Sequence, residues 1–193
     1  ESYRAARYLL MGNIQPALQQ SVRAQMKHPR LAGGDTMNFW IQSFRDELLK
    51  TIHEWDFLLI NDGEARMLSG ENNLRKAANK IMDMGPHTLV IKRGEYGATL
   101  FTDQGIFLAP AFPTGTVVDP TGAGDSFAGG FIGFLESKNQ VDFNTMKQAL
   151  IAGSALASFT VEAFGTQRLM TLTELEFKSR LKAFSSLTDY SAF

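Results

Sequence analysis

Short apolar runs alternate along the chain with stretches in which apolar positions recur at helical spacing. Tyr8-Leu9-Leu10-Met11 is the first run and predicts a buried strand, after which Pro16 suits the first turn of a helix reaching about Lys27. An extended piece from Leu31 to Asn38 comes next, then an amphipathic helix over 41–53 with Ile41, Phe44, Leu48, Leu49 and Ile52 on one face. Asp56 to Ile60 predicts a second buried strand. A brief helix over 64–68, a longer one over 74–84 closed by Gly85-Pro86, and a strand over 88–92 continue the alternation. Gly97 to Phe101 and Gly105 to Leu108 flank Asp103-Gln104-Gly105 and predict a hairpin. Helices over 127–135, 143–164 and 172–184 complete the chain. Strands alternating with helices of this length imply an α/β fold, a mostly parallel central sheet covered on both faces, in one domain over residues 1–193. In such sheets ligands bind beyond the carboxyl ends of the strands, so the turns after strands are the places to look for chemistry.

Composition narrows the partners. Lys plus Arg number 19 against 20 Asp plus Glu, so no global basic field draws this protein onto nucleic acid or an anionic membrane. Cysteine is absent, which excludes disulfides and cysteine-based metal sites and fits a reducing cytoplasm. His28, His53 and His87 are scattered, without the spacing of a transition-metal site. No apolar run nears the ~18 residues of a membrane span, so a soluble protein with a small-molecule partner is expected.

The densest chemical signal runs from Asp119 to Gly130, as Asp119-Pro120-Thr121-Gly122-Ala123-Gly124-Asp125-Ser126-Phe127-Ala128-Gly129-Gly130, after an extended stretch Thr116-Val117-Val118. Glycines at a helix start let backbone N–H groups approach an anion, helped by the helix dipole. Asp125 is a strange neighbour for a bound anion unless it meets something protic, such as a hydroxyl. A glycine-rich tight turn with Asp125 as a first-turn acid is the plainer reading. No GxxxxGK[ST] or early GxGxxG motif is present, which disfavours a P-loop enzyme and a nicotinamide dehydrogenase.

The segment resembles the DTTGAGD signature of the ribokinase (PfkB carbohydrate kinase) family, with Pro120 in place of the first Thr. Two weaker matches stand in the order the family requires. Asn61-Asp62-Gly63-Glu64 resembles its NxxE motif, whose Glu helps place water-coordinated magnesium and phosphate; an ordinary capping box with Asn61 as N-cap and Glu64 as its partner is the structural alternative. The strand and glycine turn Leu89 to Gly97 resembles the segment lining the nucleotide, with Lys92 adding positive charge; Gly94 and Gly97 also suit a bare hairpin. Ala149 to Thr166 resembles the late helix and loop that close over adenine, with Gly153 among its small residues, most of which read as helix-packing positions. The family's amino-terminal strands and β-sheet lid have no counterpart here, and the expected fold is a ribokinase-like three-layer αβα arrangement lacking them.

That resemblance implies ATP and magnesium as cofactors, and a sugar or nucleoside hydroxyl as acceptor. It implies Asp125 as base and the Gly122, Ala123 and Gly124 turn as the anion hole. Asn61, Glu64, Lys92, Gly94, Gly97, Thr121 and Gly153 would contact the cofactor, with Glu64 holding magnesium through water. A potassium ion would be bound by Asp119, Thr121, Thr160, Ala163 and Gly165. A non-catalytic nucleotide-binding fragment or regulatory module is the rival reading, and a homodimer is a further expectation. Gly34 to Asn38 is a turn that faces acceptor or phosphates, or a simple Asx-turn.

Overall fold

The computed structural model describes residues 2–189. A 3₁₀ turn, Ser2–Ala5, precedes β1 (Tyr8–Met11), α1 (Pro16–Ala24), β2 (Leu31–Asp35), α2 (Asn38–Ser43), α3 (Arg45–His53) and β3 (Phe57–Asn61). Then come α4 (Asp62–Ser69), α5 (Leu74–Met82), β4 (Thr88–Lys92), a second 3₁₀ turn (Gly94–Tyr96), β5 (Ala98–Thr102) and β6 (Gly105–Ala109). The last elements are α6 (Ala123–Lys138), α7 (Phe143–Thr160), α8 (Gln167–Thr171) and α9 (Glu174–Thr188).

The strands form one sheet in the order β1-β2-β3-β4-β5-β6. The first four are parallel, in a register that sets Tyr8 beside Leu31, Gly33 beside Phe57 and Asn61 beside Lys92. Each needs a helical crossover, which α1, the α2–α3 pair and the α4–α5 pair supply. Asp103 and Gln104 alone join β5 to β6, a link short enough only for antiparallel neighbours. The expected hairpin is present. Thr102 holds the turn, its hydroxyl donating to the Gly105 carbonyl at 3.2 Å and accepting from the Gln104 amide.

The chain resolves into two compact units. One runs to Arg93 and takes in Thr99–Phe107; the other holds Gly94–Ala98 and the chain from Leu108 onward. In the first, β3 and β4 are apolar at almost every position, as strands buried on both faces must be. Leu58, Ile60, Leu89 and Ile91 join Leu48, Ile52, Leu68 and Ile81 in a core where each fully buried side chain contributes about 1.5–3 kcal/mol. In the second unit α6 buries Phe127, Phe131 and Leu135, and α7 buries Met146, Leu150 and Phe159. Gly130 and Gly153 allow the two helices a close approach, since a Cβ on Gly153 would lie 2.7 Å from the Phe127 carbonyl oxygen.

Several boundaries depart from the periodicity. The helix expected over 41–53 is two, because Phe44 leaves helical geometry at φ −135° and ψ 38° and its ring packs on Phe39 and Trp40. α1 stops at Ala24 short of Lys27, and β2 ends at Asp35 short of Asn38. Thr116 to Val118, expected to be extended, pairs with no strand and leaves Val117 and Val118 exposed. α7 ends at Thr160, where the chain turns into a short helix, α8, that the pattern did not announce. No helix among the described residues is long and apolar enough to cross a membrane.

Candidate functional site

The first unit presents its polar residues where parallel strands end. Asn61 closes β3 and caps α4: its side-chain oxygen accepts the Glu64 amide at 2.8 Å, and Glu64 Oε2 accepts the Asn61 amide at 2.9 Å. The capping box is therefore real. It does not use up the carboxylate, which has further lone pairs. Glu64 is only 9% exposed, and burial pushes its carboxyl above the ordinary range against the opposing pull of the Asn61 amide, the Lys92 ammonium and the Asn61 side chain. Lys92 ends β4 opposite Asn61 in the register. Among the described residues no three acidic or histidine side chains gather as a metal site, so a magnesium ion here would meet the single Glu64 carboxylate, with water supplying its other ligands.

One strand away, Asp35 and Thr36 are buried at the end of β2. The Asp35 carbonyl accepts from Gln19 Nε2 at 3.2 Å, while Thr36 Oγ1 is buried with no partner among the described residues.

In the second unit the signature residues open α6. Gly122 is the N-cap in the left-handed region, φ 79°, and no side chain caps the helix. A residue with a Cβ is strained at that φ, whatever the room around it. The Ala123 N–H donates to the Pro120 carbonyl at 3.2 Å as the chain tightens into its first turn. The Ser126 amide is the first to reach back to Gly122, so Gly124 and Asp125 carry first-turn amides without intrahelical acceptors. Asp125 is exposed and makes no side-chain hydrogen bond or ion pair with the described residues.

The residues expected to bind a monovalent cation are brought together in part. The Asp119 carboxylate accepts the Thr121 amide at 3.0 Å, and that bond, the Thr121 side chain and the Gly165 amide hold the carboxyl below its usual range. The Val161 carbonyl accepts from the amides of Val118, at 2.7 Å, and Asp119. Thr160 is buried with its hydroxyl turned back to the Leu156 carbonyl at 3.1 Å. Ala163 is half-buried and Gly165, at φ 59°, is exposed.

The remaining glycines divide. Gly94, φ 55°, faces open space, whereas Gly97, φ 85°, is buried where any Cβ would strike the Ala109 carbonyl. Gly153 is accounted for by the α6–α7 crossing. Sequence reasoning missed a cluster behind the Val161–Gly165 loop. Glu162 is bonded by Arg180 at 2.7 Å and by Arg168 at 3.2 Å, and Arg168 also reaches Glu176 at 2.6 Å. The only signal was Glu162 and Arg168 six apart.

The chain is similar in sequence and in fold to known proteins. The family described as pfkB family carbohydrate kinase matches residues 3–173, and the chain belongs to that family. The aminoimidazole riboside kinase of Salmonella typhimurium is 35% identical over 127 residues, which is 66% of this chain and 38% of that protein. The Methanocaldococcus jannaschii nucleoside kinase, an archaeal member of the ribokinase family, superposes with a TM-score of 0.75 at 26% identity, over 92% of this chain and 56% of its own. The structure of aminoimidazole riboside kinase from Salmonella enterica, complexed with aminoimidazole riboside and an ATP analogue, shares the fold with a TM-score of 0.74 at 23% identity, over 92% of this chain and 63% of its own. The fold is the ribokinase-like three-layer α/β fold, of which this chain spans a part.

Proposed function

We propose that this chain carries the nucleotide-binding and catalytic part of an ATP-dependent kinase that phosphorylates a hydroxyl of a sugar or nucleoside. The observation that carries the reading is the start of α6, where a glycine stands in place of a capping side chain and an unpaired carboxylate follows three residues later. The amides of Gly124 and Asp125, with the positive end of a 16-residue helix, stabilise charge that grows on the transferred phosphoryl group. Asp125 accepts the acceptor's proton. An ordinary Asp is a weak base, but in a loose phosphoryl-transfer transition state the proton leaves late and modest basicity suffices.

Magnesium, when bound, neutralises phosphate charge, and Glu64 would hold it through water. Glutamine would complete the same capping box without the cost of desolvating a charge, so a carboxylate at this position supports a second role. The Asp119 turn and the Val161–Gly165 loop would hold a potassium ion. The names of the relatives favour a riboside or nucleoside among the acceptors.

The test is Asp125→Asn in the intact protein. Turnover is expected to fall by about 10² or more, with nucleotide affinity and thermal stability near wild type. Asp125 caps nothing in the structure, so near-wild-type turnover would leave it a first-turn acid and end the assignment.

A further inference from the structure

Glu162 immediately follows Val161, whose carbonyl receives the Val118 and Asp119 amides, and the Gly165 amide lies against the Asp119 carboxylate. The start of the Val161–Gly165 loop thus holds the turn into α6 by two backbone hydrogen bonds. Backbone bonds tie the Val161 and Glu162 amides to the end of α7, while Phe164 and Gly165 are exposed. What fixes the loop beyond these bonds is Glu162, each of whose oxygens meets a different arginine.

Arg180 is built into this position. Its guanidinium lies 3.7 Å from the Phe159 ring centroid and 4.5 Å from that of Phe112, and Nη1 donates to Ser158 Oγ at 2.9 Å. Its side chain is 15% exposed, against 68% and 79% for the partners of the surface pair Lys178–Glu174. Exposed pairs of that second kind contribute little. A stacked, forked, largely desolvated arginine is the kind that holds geometry. Arg168 extends the cluster to Glu176, whose carboxyl is pulled down to about 2 by the Thr173 hydroxyl and amide and by Arg168.

We propose that Glu162, clamped by Arg180 and Arg168, is a positioning residue that sets the Val161–Gly165 loop and, through it, the Asp119 turn leading into the α6 start. The structural half of this stands on the bonds within one compact unit. The consequence for nucleotide affinity rests on the kinase reading.

The experiment compares intact wild type with Arg180→Met, Arg180→Lys and Lys178→Met by amide hydrogen exchange and by titration with a non-hydrolysable ATP analogue, followed by steady-state kinetics. Met keeps much of the stack and loses the fork; Lys keeps the charge facing Glu162. In Arg180→Met, exchange at Val118 and Asp119 is expected to quicken by about tenfold relative to amides inside α7. The KM for ATP should rise by a similar factor with kcat within about twofold, while Lys recovers part of both effects and Lys178→Met shows neither. A lower melting temperature in Arg180→Met, with exchange at Val118 and Asp119 and nucleotide affinity unchanged, would overturn the proposal by reducing the cluster to ordinary packing. Faster exchange in a protein whose wild type binds no ATP analogue would uphold the coupling and sink the kinase reading instead.

Discussion

Helix α4 opens on Asn61, whose side chain takes the Glu64 amide while the Glu64 carboxylate returns to the Asn61 amide; helix α6 opens on Gly122, which has no side chain to offer and stands in left-handed geometry. Each helix carries an acid at its third position. Glu64 turns inward, is buried and completes the box, whereas Asp125 stays exposed and bonds to nothing described. The first start closes two of its amides, those of Asn61 and Glu64, with its own side chains. The second uses no side chain to close any of its amides. Two turns that look alike in one dimension, each ending in an acid, therefore differ in whether the protein itself closes the helix.

The largest expected change in stability comes from forcing a side chain onto the open start. Gly122→Ala should cost about 1–2 kcal/mol, because a Cβ is disfavoured at φ 79° even though open space surrounds it. Chemical denaturation measures it. An unchanged midpoint would mean that the left-handed turn is not what specifies glycine. Removing the closed start should cost somewhat less: Asn61→Ala loses one cap bond, worth about 1 kcal/mol, and Asn61→Asp should restore most of it. If alanine is neutral by the same measurement, the box seen at α4 contributes nothing to choosing between the two starts.

The smallest effect, under about 1 kcal/mol, belongs to Glu64→Gln. A carboxyl whose pKa is raised on folding favours the fold in its protonated form, so its contribution is present in full below the ordinary glutamate value and is lost as pH rises through the folded value. Glutamine imitates the protonated form and still completes the box. The variant should equal or exceed wild type in thermal stability at neutral pH, with the difference closing in acid. A variant less stable at neutral pH than in acid, relative to wild type, would show that the Lys92 attraction outweighs desolvation.

Much of this was readable from residue order alone. Apolar runs located β1, β3 and β4 to within a residue, because each strand is built around an unbroken stretch of at least three apolar residues. Asn61 and Glu64 were legible both as a motif and as a capping box, and the box is a purely local interaction. Where three-dimensional contact decides, sequence fell short. The break at Phe44 depends on an aromatic cluster with Phe39 and Trp40, and the engagement of the Ala123 amide depends on how tightly Pro120 turns the chain. The Glu162 clamp joins the end of α7 to α8 and α9, and no periodicity announces an ion pair across 18 residues such as Arg180 with Glu162.

The contrast between a closed and an open helix start is tested most directly by following backbone amide resonances of the intact protein during titration with a magnesium-bound ATP analogue. The account predicts large shifts at Gly124 and Asp125, the first-turn amides of α6 left without a partner, and only a small one at Ala123, whose amide is already donated to Pro120. Saturable nucleotide binding that leaves the Gly124 and Asp125 resonances where they were would contradict it.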